Sequence, residues 1–145
     1  MPLIGWKGSK PSVITLADRA RDSAKWHLAA TYYRRALRRN PRNPPIWVQY
    51  GHVLKEAGNL ADAEAAYRMA IVYDPRSADS HLHLGTILNL QGNREQAEAA
   101  YLRALAFAAS LDGVSCELSQ LGWSQARISE LHEIMRMMHP TRKDL

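Results

Sequence analysis

A single cysteine, Cys116, leaves no partner for an internal disulfide. This excludes the stapled fold of a small secreted domain and makes a reducing interior such as a cytoplasm the expected setting. Cys116 itself reads as a small, half-buried packing residue and not as a redox or catalytic thiol. No stretch approaches the roughly 20 apolar residues that a spanning helix needs, and the opening MPLIGWKGSKPSV has no apolar core of the secretory kind. No transmembrane segment is expected. Spacings that carry chemistry are also missing. No two of the six histidines stand four residues apart, and His81 and His83, two apart, point different ways on a helix. There is no HExxH, no Gly-rich phosphate loop after a strand and no cysteine cluster. The chain is therefore expected not to be an enzyme, with no catalytic residues, no metal and no cofactor.

Acidic residues are scarce at the start of the chain. Residues 1–43 hold ten Lys or Arg against Asp18 and Asp22, a balance of +8, whereas residues 44–145 hold nine against twelve acids, a balance of −3. Arg34, Arg35, Arg38 and Arg39 concentrate that charge on the side of a predicted helix opposite Tyr33 and Leu37. The cluster is either a solvated face or a contact for an acidic protein, an anionic membrane surface or nucleic acid. Nucleic acid is the least favoured of these, because the neighbouring Tyr32 and Tyr33 are better explained by packing than by stacking on bases.

What the sequence does have is a period. Residues 44–77, PPIWVQYGHVLKEAGNLADAEAAYRMAIVYDPRS, are matched by the next 34: Tyr50-Gly51 fall on Leu84-Gly85, Leu54 on Leu88, Gly58-Asn59 on Gly92-Asn93, Ala63 on Ala97, Tyr67 on Tyr101 and Ala70 on Ala104. A weaker copy precedes them, with Leu16-Ala17, Ala29, Tyr33, Ala36 and Pro41 in register. Within 44–77, Trp47, Tyr50, Gly51 and Leu54 share one helical face, which predicts a helix beginning after Pro44-Pro45 and closing at Gly58. Leu60, Ala63, Tyr67 and Ala70 start a second face. Gly51 and Ala63 are expected where two antiparallel helices approach closely, and Tyr67 between neighbouring pairs.

A 34-residue period carrying Trp47, Gly51, Ala63, Tyr67 and Pro75 in this order resembles the tetratricopeptide repeat (TPR). The resemblance covers roughly residues 10–111. It departs from the pattern at Ala24-Lys25 in place of Gly-Asn, at His81 in place of Trp47 and at Ala109 in place of proline. It implies an all-α, right-handed superhelix of three helix-turn-helix repeats, 10–43, 44–77 and 78–111, behind an irregular lead-in over 1–9 in which Trp6 tucks against the first helix. Residues 112–145 would supply C-terminal capping helices and a tail. Leu111-Asp112-Gly113 reads as a turn, residues 117–121 as a short helix stopped by Gly122, and Ser124 as the cap of a longer helix reaching about Met138.

In such a superhelix the partner-binding surface is the concave one, lined by first helices. The resemblance places there Asp18 and Arg21, then Gln49, His52, Lys55 and Glu56, then His83, Thr86 and Asn89. Family members that grip a C-terminal carboxylate do so with Lys and Asn, but Ile14, Asp18, Val48 and His52 stand where that clamp would begin. An extended peptide or polar loop of a protein partner is the expected ligand. The run NPRNPPIWVQYGHVLKEAGNLADAEAAYRMAI, with Gln91-Gly92-Asn93 and Leu121-Gly122-Trp123-Ser124, is also similar to repeat modules that precede glycosyltransferase domains in bacterial surface-polysaccharide proteins. That similarity implies a docking or oligomerisation module. Lastly, Ile128, Leu131, Ile134, Met135, Met137 and Met138 give the last helix an apolar face that either caps the array or forms a two-fold homodimer.

Overall fold

The computed structural model describes residues 8–107 and 109–138. The expected contact of Trp6 lies outside them. Eight helices follow one another: α1 (Val13–Asp22), α2 (Trp26–Arg39), α3 (Pro44–Glu56), α4 (Leu60–Tyr73), α5 (Ala78–Leu90), α6 (Arg94–Ala106), α7 (Leu111–Gln120) and α8 (Gln125–Met138). They form an all-α helical solenoid, and no strand occurs among the described residues.

Local chemistry sets each boundary. Ser12 caps α1 by accepting from the Thr15 amide at 3.1 Å, Ser77 caps α5 through the Ser80 amide, and Ser124 accepts from the Arg127 amide at the head of α8. Helix α3 starts at Pro44 itself, two residues earlier than expected, because proline at the first helical position gives up no hydrogen bond. The turn inside each pair repeats one closure. The amides of Lys25, Asn59, Asn93 and Trp123 bond back to the carbonyls of Ala20, Leu54, Leu88 and Leu118, at 2.8 to 3.1 Å. The residue before each is left-handed: Gly58, Gly92 and Gly122 have φ of 83, 81 and 92°, and Ala24 takes φ 55° without the freedom of glycine.

The fourth closure shows where the sequence reading went wrong. Leu111-Asp112-Gly113 is not a turn but the first turn of α7, which runs ten residues to Gln120. Gly122 follows Gly92 by 30 residues where Gly92 follows Gly58 by 34, so α7 and α8 are a fourth antiparallel pair built on a shortened first helix. Val114 and Leu118, both fully buried, hold α7 on the core.

The core is a stack of tyrosines on small residues. Tyr33, Tyr67 and Tyr101 are all within 1% of complete burial, among Ala17, Ala29, Ala63, Ala66, Ala97 and Ala100. Tyr67 does not sit only between pairs, as expected. A Cβ built on Gly51 would lie 2.8 Å from its Cε1, and one on Gly85 would lie 2.5 Å from Cε1 of Tyr101. The glycines of α3 and α5 are thus the seats of the tyrosine rings from α4 and α6.

Candidate interaction surface

The first helices bring the predicted partner-binding residues together, but not all of them remain available. Arg21 donates from one terminal nitrogen to Gln49 Oε1 at 2.8 Å, to the Tyr33 hydroxyl at 3.0 Å and to Asp18 Oδ1 at 3.3 Å. The Tyr33 hydroxyl in turn donates to Asp18 at 2.6 Å. Asp18, Arg21 and Gln49 are therefore consumed in a network that ties α1 to α3. Burial first, and then the bond to Asp18, pushes the Tyr33 hydroxyl well above its ordinary titration range.

His52, on the next turn of α3, stands in the electrostatic neighbourhood of Lys55, Glu56, His83 and Arg21. Burial, and then the nearby Lys55 ammonium, lowers its pKa, so its imidazole is held neutral, with one donor and one acceptor nitrogen. Lys55 and Glu56 bridge each other at 2.8 Å. His83 lies stacked on the Tyr67 ring, with centroids 5.4 Å apart and 14° between planes, and its Nε2 is 3.3 Å from Asp79. Thr86 donates back to the Leu82 carbonyl at 3.2 Å, which takes its hydroxyl proton out of use. Asn89 is half-buried and makes no side-chain hydrogen bond among the described residues. Between the heads of α3 and α5 a cleft of about 180 Å³ is lined by Pro45, Val48, Gln49, Asp79 and Ser80 among others.

Three participants escaped the sequence reading: Tyr33 and Tyr67, assigned to packing alone, and Asp79. The repeat of tyrosine at positions 33, 67 and 101 was visible. That the Tyr33 hydroxyl and the Tyr67 ring reach the polar face was not.

The basic cluster lies elsewhere. Arg34, Arg35, Arg38 and Arg39 are exposed on α2, and none has an ion pair among the described residues. Arg34 and Arg38 are close enough to Tyr50 to oppose the rise that burial gives its pKa. On α8, Ile128 is buried in the core, so it serves the cap and cannot belong to an exposed dimer face. Leu131 and Met135 are half-buried, and Ile134, Met137 and Met138 are exposed. Glu98 accepts from the Trp123 indole at 2.9 Å and meets Arg127 at 3.4 Å, which pins the head of α8 to α6. Cys116 is exposed and not half-buried, with the Gln120 amide 3.7 Å from its sulfur. Among the described residues no group of three or more His, Cys, Asp or Glu could hold a metal, and no helix is long and apolar enough to cross a membrane.

Comparison with known proteins bears on this surface. The family model for the middle TPR-like domain of cilia and flagella-associated protein 70 matches residues 13–128. Among solved structures, the second TPR domain of human RPAP3, in complex with an HSP70 peptide, is similar with a TM-score of 0.73 at 17% identity, over 78% of this chain and 94% of that one. The first TPR of Spaghetti (RPAP3), bound to an HSP90 peptide, gives 0.72 at 16%, over 76% and 87%. The Yersinia enterocolitica type III secretion chaperone SycD, with a peptide of the translocator YopD, gives 0.65 at 19%, over 87% and 91%. No curated protein sequence matches.

Proposed function

Because the chain belongs to the TPR-like family of the middle domain of cilia and flagella-associated protein 70, we propose that it is a non-catalytic scaffold that takes an extended segment of a protein partner across α3 and α5. The observation that carries this reading is the row of half-buried polar side chains on first helices, His52, His83 and Asn89, which keep hydrogen-bonding capacity after the internal network is satisfied. Peptide complexes in three solved proteins of the same fold support the ligand class. Asp18, Arg21 and Gln49 then serve the frame, and the Tyr67 ring under His83 fixes the angle at which that imidazole meets a ligand. A neutral His52 suits a peptide backbone, which offers both amide donors and carbonyl acceptors.

A peptide array probed with the wild-type chain, followed by titration of the best binder, tests the reading. His52→Ala with Asn89→Ala should weaken binding by roughly tenfold or more, as loss of two buried hydrogen bonds does, with the helical circular dichroism unchanged. Undiminished binding would remove the first-helix face from consideration.

A second reading rests on the four exposed arginines of α2, which make no ion pair among the described residues and suit an acidic protein surface. Replacing Arg34, Arg35, Arg38 and Arg39 with Glu should then abolish a salt-sensitive interaction while leaving peptide binding intact. Retention of nucleic acid or anionic vesicles by the wild-type chain, lost in the variant, would reassign that face.

A further inference from the structure

The network around Arg21 has a second copy further along the chain, with its centre replaced. Asp18, Arg21, Tyr33 and Gln49 fall, at one constant offset of two repeats, on Thr86, Asn89, Tyr101 and Glu117. Both tyrosines are completely buried. In the first set the Arg21 guanidinium fills the middle and donates to the other three at 2.8 to 3.3 Å. In the second, Asn89 holds the arginine's position on its helix with a side chain too short to take the guanidinium's place, and it makes no side-chain hydrogen bond among the described residues.

The groups that surround the cation in the first set have counterparts in the second. Burial raises the pKa of Tyr101, and after it the Thr86 hydroxyl lowers and the Glu117 carboxylate raises it, which sets both beside the phenol. Neither closes a hydrogen bond on the Tyr101 hydroxyl, which is buried without a partner. A hydroxyl in that state costs stability until something completes it. Thr86 has spent its proton on the Leu82 carbonyl and presents its oxygen alone. Glu117, on α7, is half-buried and makes no ion pair among the described residues. Each set thus holds one carboxylate, Asp18 in the first and Glu117 in the second, but the second has no cation to answer it.

We infer that the place between Thr86, Asn89, Tyr101 and Glu117 takes the guanidinium of an arginine in the partner's extended segment. This rests on the peptide reading of the first-helix face and names the side chain selected where α7 prolongs it. A planar guanidinium, with five donors in a fixed fork, reaches acceptors on several sides, whereas an ammonium is a compact point charge. Asn89 and Glu117 meet the ligand from the open face. Drawn to the cation, the Glu117 carboxylate accepts from the Tyr101 hydroxyl, as Asp18 accepts from Tyr33 at 2.6 Å. Tyr101 is therefore a positioning residue.

Titration of the full chain with acetyl-arginine amide, and with its neutral isostere acetyl-citrulline amide, tests the inference by nuclear magnetic resonance. The arginine probe should shift the Asn89 side-chain amide and the Glu117 backbone amide to saturation, and the citrulline probe should not. Glu117→Gln should weaken the arginine probe roughly tenfold or more, through loss of a charged hydrogen-bond acceptor. Tyr101→Phe should weaken it too, yet leave the urea midpoint of the free chain unchanged or higher, because no hydrogen bond is lost with that hydroxyl. Asn89→Arg should supply the cation from within, raising the urea midpoint and abolishing the response to the probe. Equal responses to the two probes, an arginine response that survives Glu117→Gln, or an Asn89→Arg chain that still takes the probe overturns the inference. The probe is free of any partner sequence, so its result stands apart from the peptide array. A partner peptide bound equally well with citrulline in place of each arginine overturns this inference and leaves the first-helix face its ligand.

Discussion

Single residues in this chain are chosen by what lies directly above them. Gly85 and Gly51 occur inside helices, where glycine costs about 1 kcal/mol against alanine, and the tyrosine rings account for that choice. Because a methyl at Gly85 would come to 2.5 Å of Tyr101 and one at Gly51 to 2.8 Å of Tyr67, and both rings are fully buried, the clash should outweigh the gain in helix propensity. Gly85→Ala and Gly51→Ala are each expected to lower stability by about 1–3 kcal/mol, with Gly85→Ala the worse of the two. Urea unfolding decides it, and a stabilised Gly85→Ala would mean that the ring is not seated there. His81 shows the same local logic. It occupies the slot of Trp47, and its Nε2 donates to the Pro75 carbonyl at 2.9 Å as the Trp47 indole donates to Pro41 at 2.6 Å. The carbonyl can only accept, so the proton of this buried imidazole is on Nε2. The sequence displayed a departure from the family pattern. That the departure conserves the hydrogen bond depends on a carbonyl six residues upstream, which no side-chain pattern reveals.

Between helices, the pair turns depend on one left-handed residue each. Nothing lies within 4 Å of a Cβ built on Gly58 or Gly92, so a substitution there changes backbone strain alone. Ala24 already bears that strain at φ 55°. Ala24→Gly should therefore stabilise the chain by roughly 1 kcal/mol, and Gly92→Ala should destabilise it by a similar amount, both read as shifts in the urea midpoint. If Ala24→Gly is neutral or worse, the added freedom of the unfolded chain cancels the relief. The 34-residue period made α1 to α6 legible because it repeats the slots that pack: Ala63 and Ala97, Tyr67 and Tyr101. Helix α7 was hidden for two physical reasons. Its pair is four residues short, which breaks the period, and Gly113 near its start signals a turn, yet burial of Val114 and Leu118 outweighs the cost of a glycine in the helix. The candidate site was legible only as a set of positions. The bond from Arg21 to Gln49 spans 28 residues, and nothing in either segment tells that it would take those two side chains out of use.

Across the whole molecule, one tyrosine per repeat makes the solenoid sensitive to alkali. Burial raises the pKa of Tyr33, Tyr67 and Tyr101 above the ordinary value near 10. A raised pKa means that the folded chain keeps the phenol proton that the unfolded chain gives up. The stability it contributes is complete below pH 10 and is lost as pH rises from there toward the folded-state values. Unfolding followed by tyrosinate absorbance should show the phenols of Tyr33, Tyr67 and Tyr101 ionising together with the loss of helix, above pH 10. Independent titration of all the tyrosines in a still-helical chain would contradict the stacked core. The joints between repeats carry a different consequence. Asn40 and Asp74 leave their helices with nearly identical backbone angles, φ −138° in both and ψ 87 and 83°, and each joint is locked by a ring nitrogen on a proline carbonyl. The two seams are interchangeable parts. A gene that duplicated residues 44–77 in place would present the new Trp47 indole to the Pro75 carbonyl and hand His81 an identical carbonyl one repeat later, so such a lineage can lengthen by whole units from its interior, while the shortened fourth pair closes that route at the end.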